Sequence, residues 1–158
     1  PGEDIAFIEI VRPLMRLVEE GLQSADRPVT FEVKGDGGRL PATVATPLSV
    51  VILELLQNAV DHGFPEGSAG GSVVVSLSHD EDALTIRVVN NGVGLSHDFD
   101  FSKATGLGLS IVRTLVTTEL AGTIEMRVAS AEDFAQQSMK SLGSGAGTVV
   151  DLRVPLQY

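Results

Sequence analysis

Three short motifs, which occur in one order and at fixed spacings, constrain the fold of this chain more than any other feature. The first motif, ELLQNAVDHG, occupies residues 54–63, and the second, NNGVGL, occupies residues 90–95. The third, TGLGLS, occupies residues 105–110. The first has the apolar periodicity of a helix, whereas the other two carry the glycines of tight turns. Each motif alone is weak evidence, so its meaning depends on the elements around it.

Apolar periodicity predicts two long helices before the second motif. The first is an amphipathic helix over residues 5–22, with Pro13 inside it as a kink or a sign of a later start. The second covers residues 47–63, because Thr46 supplies a capping hydroxyl and Pro47 suits the first helical position. A third helix is predicted to open at the third motif.

Alternating apolar and β-branched residues predict the strands. Strands are expected at residues 27–33, 72–78, 83–90, 123–128 and 148–154. The pair at 72–78 and 83–90 is separated by a short polar turn and is predicted to be an antiparallel hairpin. These elements indicate an α/β (α+β) two-layer sandwich, with a mixed, mostly antiparallel sheet covered on one face by helices.

Two segments do not belong to this regular pattern. Residues 96–105 are polar and irregular, and residues 129–147 are too long for a simple hairpin turn. Within the second segment, residues 131–142 are predicted to form a short helix and the glycine-rich residues 143–147 a flexible connection. We therefore treat 129–147 as an insertion.

Composition narrows the classes of function. The chain has 158 residues, no cysteine and a formal net charge of −10, so disulfides and thiolate zinc sites are excluded and a nucleic-acid surface is disfavoured. No uninterrupted apolar run approaches the roughly 20 residues that a membrane span requires. The acidic start without Met suggests a piece of a longer protein. One globular domain over residues 1–158 is expected.

The polar face of the predicted 47–63 helix carries the first candidate site. Glu54, Asn58, Asp61 and His62 are spaced by four, three and one residues and so share one face opposite the apolar stripe. A carboxylate and a carboxamide one turn apart offer hard oxygen ligands that suit Mg²⁺. A solvated polar face explains the same pattern equally well when the helix is taken alone.

The two glycine motifs suggest a nucleotide site. Gly92 and Gly94 follow a hydrophobic strand and allow the backbone to approach a flat ligand, although a strand-ending turn has the same composition. Gly106 and Gly108 lead into a helix, whose free N–H groups favour an anion such as phosphate. No Gly-Lys-Ser/Thr follows, so the third motif is not a P-loop.

Together the motifs resemble the GHKL superfamily (gyrase, Hsp90, histidine kinase and MutL), and within it the catalytic ATP-binding domain of bacterial sensor histidine kinases. Residues 54–63 are similar to the N box, 90–95 to the G1 box and 105–110 to the G2 box, while Gly147 and Thr148 resemble the closing Gly-Thr. The flanking phrases resemble those of actinobacterial PdtaS-type kinases. The implied fold is the Bergerat fold, and the implied cofactors are ATP and Mg²⁺.

The resemblance implies a role for each matching residue. Asn58 would be the Mg²⁺ ligand, Glu54 would order the metal or a water and assist the chemistry, and Asp61 and His62 would line the phosphate side. The base side would be formed by these residues: Asn90, Gly92, Gly94, Leu95 and Thr148.

The resemblance also implies an ATP lid at residues 96–105, with Lys103 as a candidate phosphate contact. The backbone that holds the phosphates would come from these residues: Gly106, Leu107, Gly108 and Leu109. The lid is expected to order when ATP binds.

The sequence departs from the family pattern at Asn90. The G1 box normally begins with Asp, whose carboxylate accepts a hydrogen bond from the adenine amino group, whereas this chain has Asn90. An amide oxygen still accepts but carries no charge, so about tenfold weaker ATP binding is expected. Asn90 is consistent with natural variation, an engineered change or a degenerate kinase. The 129–147 insertion, a partner surface or a spacer, is the second departure.

The resemblance implies partners that lie outside this chain. No histidine precedes His62, so the phosphoacceptor and sensor domains are expected to be absent and the fragment unable to phosphorylate itself. The implied partners are the dimerisation domain of the same kinase and a response regulator, including the RNA-binding antiterminator type. A cytoplasmic homodimer is implied for the full-length kinase, without direct nucleic-acid or membrane contact by this domain.

Three other functions remain open at this point. An anti-sigma-factor serine kinase shares the pocket but acts mainly through protein partners. A regulatory GHKL domain that has lost catalysis is supported by Asn90. A GHKL ATPase fragment of the MutL or gyrase kind needs further domains for dimer closure, which the compact lid does not favour.

Overall fold

The computed structural model describes residues 4–23, 29–64, 70–94, 107–139 and 147–156. Its helices are α1 (Ile8–Gln23), α2 (Ala42–Gly63), α3 (Leu107–Thr114) and α4 (Ala131–Gln136), and a π-helical turn over Leu115–Glu119 continues α3. Its strands are β1 (Ile5–Ala6), β2 (Val29–Lys34), β3 (Arg39–Leu40), β4 (Gly71–His79), β5 (Ala83–Asn90), β6 (Thr123–Val128) and β7 (Thr148–Pro155).

Five strands form the main sheet, in the order β2-β4-β5-β7-β6. Only β2 and β4 are parallel, while β4–β5, β5–β7 and β6–β7 are antiparallel. The mixed, mostly antiparallel sheet and the β4–β5 hairpin confirm the sequence prediction. In the centre, Asn90 at the end of β5 lies opposite Thr148 at the start of β7.

The core lies between one face of the sheet and the helices. Alternate residues of β4, β5 and β7 point to this face and pack against the apolar sides of α1, α2 and the α3 segment. The fully buried residues of α2 are Ala45, Leu48, Val51, Ile52, Leu56 and Val60. We call this helix-covered side the front of the sheet.

The long helix α2 has the length and mean hydropathy of a membrane-spanning segment. Nine of its residues are buried within this fold, including Ala45, Leu48 and Leu55. The requirement to fill the core therefore explains its apolar composition.

Both predicted helix starts were wrong. Residues 5–6 pair with β3 instead of joining the 5–22 helix, because Ile5 and Ala6 lie opposite Leu40 and Arg39 and the Phe7 N–H donates to the Gly38 carbonyl at 3.0 Å. The predicted 47–63 helix begins five residues earlier, at Ala42.

The early start of α2 follows from packing. Ala45 and Leu48 are fully buried, so the first turns belong to the core. Pro47 lies within the helix, and Pro41 stands at its N-cap with extended backbone angles. Core packing thus outweighs the Thr46–Pro47 start signal.

The inserted segment contributes a short helix to the rear of the sheet. Within the predicted 131–142 region, α4 covers Ala131–Gln136, and Ser130 and Asp133 form a capping box at its start. Phe134 is 3% exposed and packs against Val89 and Val149, with Ala129 and Met139 at the margin. We call Val89, Phe134, Val149 and the ion pairs beside them the rear cluster.

The charges of the rear cluster are paired. Arg127 donates two hydrogen bonds to the Asp133 carboxylate, at 2.7 and 2.8 Å. Arg87 donates to both oxygens of Asp151, at 2.6 and 3.1 Å. The hydrogen bonds from Arg127 hold the pKa of Asp133 well below its ordinary value, against the opposing effect of burial.

Candidate functional site

The polar face of α2 borders a cleft on the front of the sheet. Glu54 and Asn58 are half-buried, whereas Asp61 and His62 are exposed one turn further along. One part of the cleft is lined by these residues: Glu54, Gln57, Asn58, Asp61, His62, Gly108 and Leu109. The four predicted residues of α2 therefore meet the first turn of α3.

The close approach of α2 and α3 depends on Gly108. A Cβ added at this position would lie 2.6 Å from the Glu54 Oε2 atom. The N-terminal end of α3 therefore stands directly beside the Glu54 carboxylate. Helix N-termini present unpaired N–H groups, which are suited to anions.

A second part of the cleft runs under the end of β5. It is lined by these residues: Leu55, Asn58, Ala59, His62, Gly63, Val88, Asn90, Val93, Gly94, Met126, Thr148 and Val150. Asn58 and His62 line both parts, so the two are continuous. We call the combined space the front cleft.

The turn after β5 is held tightly against the end of α2. The Val93 N–H donates to the Gly63 carbonyl at 2.8 Å, and a Cβ on Gly92 would collide with the Gly63 backbone. On the other side, the Gly147 N–H donates to the Gly92 carbonyl at 2.6 Å. Gly147 has a φ of +88°, which favours glycine. Three glycines from distant parts of the chain thus fix this wall of the cleft.

The two asparagines at the end of β5 have different environments. Asn90 is 5% exposed and lines the cleft, and its Oδ1 accepts from the Gly92 N–H at 3.0 Å. Asn91 is 4% exposed, and its Oδ1 accepts from the Ser72 N–H at 2.8 Å, which links the turn to β4. Asn90 therefore faces the ligand side, and Asn91 is part of the scaffold.

The residues on α2 fit Mg²⁺ as the cofactor. Over the described ranges, no cluster of three or more His, Asp or Glu side chains has the geometry of a metal site. Glu54 and Asn58 offer two oxygen ligands. Mg²⁺ typically takes only one or two protein oxygens and completes its shell with water and phosphate.

Some of the predicted site residues lie outside the part of the chain that the structure describes. Leu95, Lys103 and Gly106 lie outside the described residues, as does the whole predicted lid at residues 96–105. Leu107 begins α3, so its backbone lies at the helix N-terminus. The roles assigned to the other residues remain predictions, although their positions around one cleft are compatible with them.

Sequence reasoning missed several residues of the cleft. Met126 on β6 and Val88 on β5 form its apolar walls, and Gly63 provides the space in which the Asn90 amide lies. A Cβ on Gly63 would approach the Asn90 Oδ1 to 3.0 Å. The sequence predicted a strand at 123–128, but nothing in it indicated that Met126 contacts the cleft.

The fold and this cleft define a class of nucleotide-binding domain, and the comparisons identify the family. The model of the family described as "Histidine kinase-, DNA gyrase B-, and HSP90-like ATPase" matches residues 43–158. The chain belongs to this family. The match includes all of α2 except its first residue, both glycine motifs and β7.

The relatives and similar structures point to one branch of this family. The chain is similar to the sensor histidine kinase PdtaS of Mycobacterium tuberculosis, with 36% identity over 98% of this chain and 28% of that protein. It spans 16% of the chemotaxis protein CheA of Halobacterium salinarum, with 32% identity over 64% of this chain. The chain thus covers well under half of the curated relatives it matches.

Solved structures share the fold. The catalytic domain of histidine kinase ThkA superposes with a TM-score of 0.69 over 97% of this chain and 95% of that chain, at 21% identity. The histidine kinase domain of the blue-light-activated kinase EL346 from Erythrobacter litoralis also gives 0.69, at 24% identity, over 93% of this chain and 61% of that chain. The two-layer architecture is therefore that of histidine kinase catalytic domains.

Proposed function

We propose that residues 1–158 form the ATP-binding catalytic domain of a two-component sensor histidine kinase. The domain would transfer the γ-phosphoryl group of Mg-ATP to a histidine on a separate dimerisation domain, and the group would pass from there to an aspartate of a response regulator. The observation that carries this proposal is the front cleft. The polar face of α2, the turn after β5 and the start of α3 meet there.

The cleft suggests a division of labour among its residues. The base would lie in the part lined by Asn90, Gly94 and Thr148, with the predicted Gly92 and Leu95 beside it. The phosphates would lie between α2 and the N-terminus of α3, near Gly108 and Leu109. The predicted phosphate contacts Lys103 and Gly106, and the backbone of Leu107, complete the set.

Glu54 and Asn58 would hold the Mg²⁺ ion, which supplies charge neutralisation on the phosphate oxygens. Asp61 and His62 are exposed at the outer rim of the same space, where they would line the phosphates. The N–H groups of α3 would stabilise negative charge on the transferred group. Phosphoryl transfer depends mainly on positioning and electrostatic stabilisation, and a rigid cleft of this kind can provide both.

The partners follow from the same proposal. One similar structure is that of histidine kinase ThkA in complex with the response regulator TrrA. For this chain we propose an equivalent pair: the phosphoacceptor domain of its own kinase, as a homodimer, and a response regulator of the RNA-binding antiterminator type. The site of action would be the cytoplasm, without direct contact of this domain with nucleic acid or membrane.

The metal assignment can be tested by calorimetric titration with ATP, with and without Mg²⁺. Asn58→Ala is expected to abolish the Mg²⁺-dependent part of ATP binding, because it removes one of the two oxygen ligands. Thr43→Ala is the control, since Thr43 is exposed on α2 and lies outside the residues that line the cleft. Unchanged affinity of Asn58→Ala in Mg²⁺ would contradict the assignment.

One specific observation favours a second candidate, a regulatory GHKL domain without catalysis. The cleft holds Asn90 where the family pattern has a carboxylate. Titration of the unaltered chain separates the two functions: micromolar to submillimolar, Mg²⁺-dependent binding supports the kinase domain. The absence of any nucleotide binding would favour a regulatory module.

A further inference from the structure

The Asn90 amide has one hydrogen-bonding group without a partner among the described residues. Its Oδ1 accepts from the Gly92 N–H at 3.0 Å. Its Nδ2 has no acceptor among the described residues, although the side chain is 5% exposed. A buried polar group without a partner destabilises the fold, so such groups usually meet a ligand or water. The unpaired group lies on a residue that lines the front cleft.

The orientation of this amide is set by its surroundings. A rotation by half a turn would place Nδ2 against the Gly92 N–H, so that two donors would face each other. Gly92 cannot easily turn away, because its carbonyl accepts from the Gly147 N–H and the next residue, Val93, donates to Gly63. The cleft therefore presents a hydrogen-bond donor at this position, where a carboxylate would present only acceptors.

The polar residue opposite Asn90, Thr148, does not select between hydrogen-bond donors and acceptors on a ligand. Thr148 is 7% exposed, lies opposite Asn90 in the sheet and lines the same part of the cleft. Its hydroxyl can donate or accept. The side chains of the apolar walls, including Val88 and Met126, offer no hydrogen bond that would distinguish one purine from another. Among the described residues of the cleft near the end of β5, Asn90 is thus the side chain that offers a donor in a fixed orientation.

This inference rests on the proposed function, with the base beside Asn90, and revises only the identity of that base. The carbon-6 edge of the purine would meet Asn90, as the adenine amino group meets the carboxylate in the family pattern. A 6-aminopurine such as adenine presents a donor there, which matches a carboxylate. A 6-oxopurine such as hypoxanthine or guanine presents an acceptor oxygen, which matches Nδ2. We propose that Asn90 makes the front cleft select 6-oxopurine nucleoside triphosphates over ATP, with Nδ2 donating to the oxygen on carbon 6.

The test is calorimetric titration of the chain with ATP and with ITP, both with Mg²⁺, beside the Asn90→Asp variant. ITP differs from ATP at the base alone. The unaltered chain is expected to bind ITP more tightly than ATP, and Asn90→Asp is expected to reverse this order. The ratio of the two affinities should shift by about tenfold or more between the proteins. Asn91→Asp, which introduces the same charge at the Ser72 contact, should leave the ratio as it is in the unaltered chain.

A second comparison needs no variant, so it stays decisive if Asn90→Asp does not fold. Purine riboside triphosphate has no substituent on carbon 6. The unaltered chain should bind ITP more tightly than this analogue, and ATP no more tightly than the analogue. If the unaltered chain preferred ATP over ITP by the same factor as Asn90→Asp does, the proposed contact between Asn90 and the base would be wrong. The nucleotide site itself would still stand. Failure of every triphosphate to bind either protein would overturn the site as well.

Discussion

The front cleft and the rear cluster lie on opposite faces of the same sheet, and they differ in whether their polar side chains have partners. In the rear cluster, Arg127 and Asp133 satisfy each other through two short hydrogen bonds, and Arg87 and Asp151 do the same. In the front cleft, Glu54 and Asn58 are half-buried and form no ion pair or hydrogen bond between side chains of the described residues. Paired charges indicate a structural role, and unpaired polar groups that converge on a cleft indicate a ligand site.

The two regions are nevertheless connected through Gly147. A Cβ on Gly147 would lie 2.5 Å from the Phe134 Cζ atom of the rear cluster and 2.7 Å from the Asn90 carbonyl oxygen. The Gly147 N–H donates to Gly92, and the Gly147 carbonyl accepts from the Ala129 N–H at 3.1 Å. The insertion therefore supports the back of the turn whose front faces the cleft. Variants on each face test how far this support extends.

The largest expected effect on stability comes from the rear cluster. Phe134→Ala should lower the free energy of unfolding by about 3 kcal/mol, because it leaves a cavity against Val89 and Val149. It should also weaken nucleotide binding severalfold through Gly147. Urea unfolding and calorimetry measure the two effects. Phe134→Leu is the control that refills most of the volume. An unchanged nucleotide affinity in Phe134→Ala would show that the two faces are independent.

The next largest effect is expected at the glycine contact of the front cleft. Gly92→Ala should destabilise the fold by about 2 kcal/mol, because the added Cβ meets the Gly63 backbone rather than a movable side chain. Nucleotide affinity should fall more than in Phe134→Ala, since the displaced turn carries Asn90. The measurement is again unfolding beside titration.

The matched control for Gly92→Ala is Gly21→Ala in α1. An added Cβ there meets nothing within 4 Å, so helix propensity should raise the free energy of unfolding by about 0.5–1 kcal/mol. If Gly92→Ala bound nucleotide as tightly as Gly21→Ala does, the proposed wall of the cleft would be wrong.

The sequence indicated the regular parts of both regions better than their junctions. The β4–β5 hairpin and the shared face of Glu54, Asn58, Asp61 and His62 follow from local periodicity, and the structure has them. The start of α2 depends instead on the burial of Ala45, which no local signal indicates. Contacts between residues far apart in the chain, such as Gly63 with Gly92, depend on tertiary packing. Local sequence patterns therefore do not predict them.

The end of α4 illustrates the same limit. The sequence predicted a short helix within 131–142, and the capping box at Ser130 and Asp133 accounts for its start. The helix ends at Gln136, and Ser138 adopts a positive φ of 56°. Burial of Phe134 against the sheet, and the bond from Lys34 Nζ to the Gln137 carbonyl at 2.8 Å, favour this early end.

A smaller, pH-dependent effect on the free energy of unfolding is expected at the Arg127–Asp133 ion pair of the rear cluster. Asp133→Asn should lower the free energy of unfolding by about 1–2 kcal/mol at neutral pH, reduced by salt because Arg127 is 42% exposed. The folded-state pKa of Asp133 is depressed below 3.8, mainly by Arg127. Its contribution is therefore complete above about pH 4 and is lost as the pH falls through the folded-state value.

The pH dependence distinguishes the charge of Asp133 from its shape. Urea unfolding of both proteins between pH 7 and pH 2 should show the difference in stability shrinking only below about pH 4. Glu132→Gln, an exposed neighbour in the first turn of α4, is the control and should show little difference at any pH. A constant difference down to pH 2 would mean that packing, and not ionisation, accounts for the effect.

The smallest effect is expected for an exposed charge of the front cleft. Among the described residues, Asp61 accepts only a 3.3 Å hydrogen bond from the exposed Gln57. Asp61→Asn should therefore change the free energy of unfolding by less than about 0.5 kcal/mol. Because Asp61 would repel bare phosphates, the variant should bind ATP about two- to threefold more tightly without Mg²⁺ at low salt. The gain should fade with added salt. A large loss of affinity in Mg²⁺ would instead make Asp61 a metal ligand, and the front cleft would then hold a three-residue site in place of the Glu54–Asn58 pair.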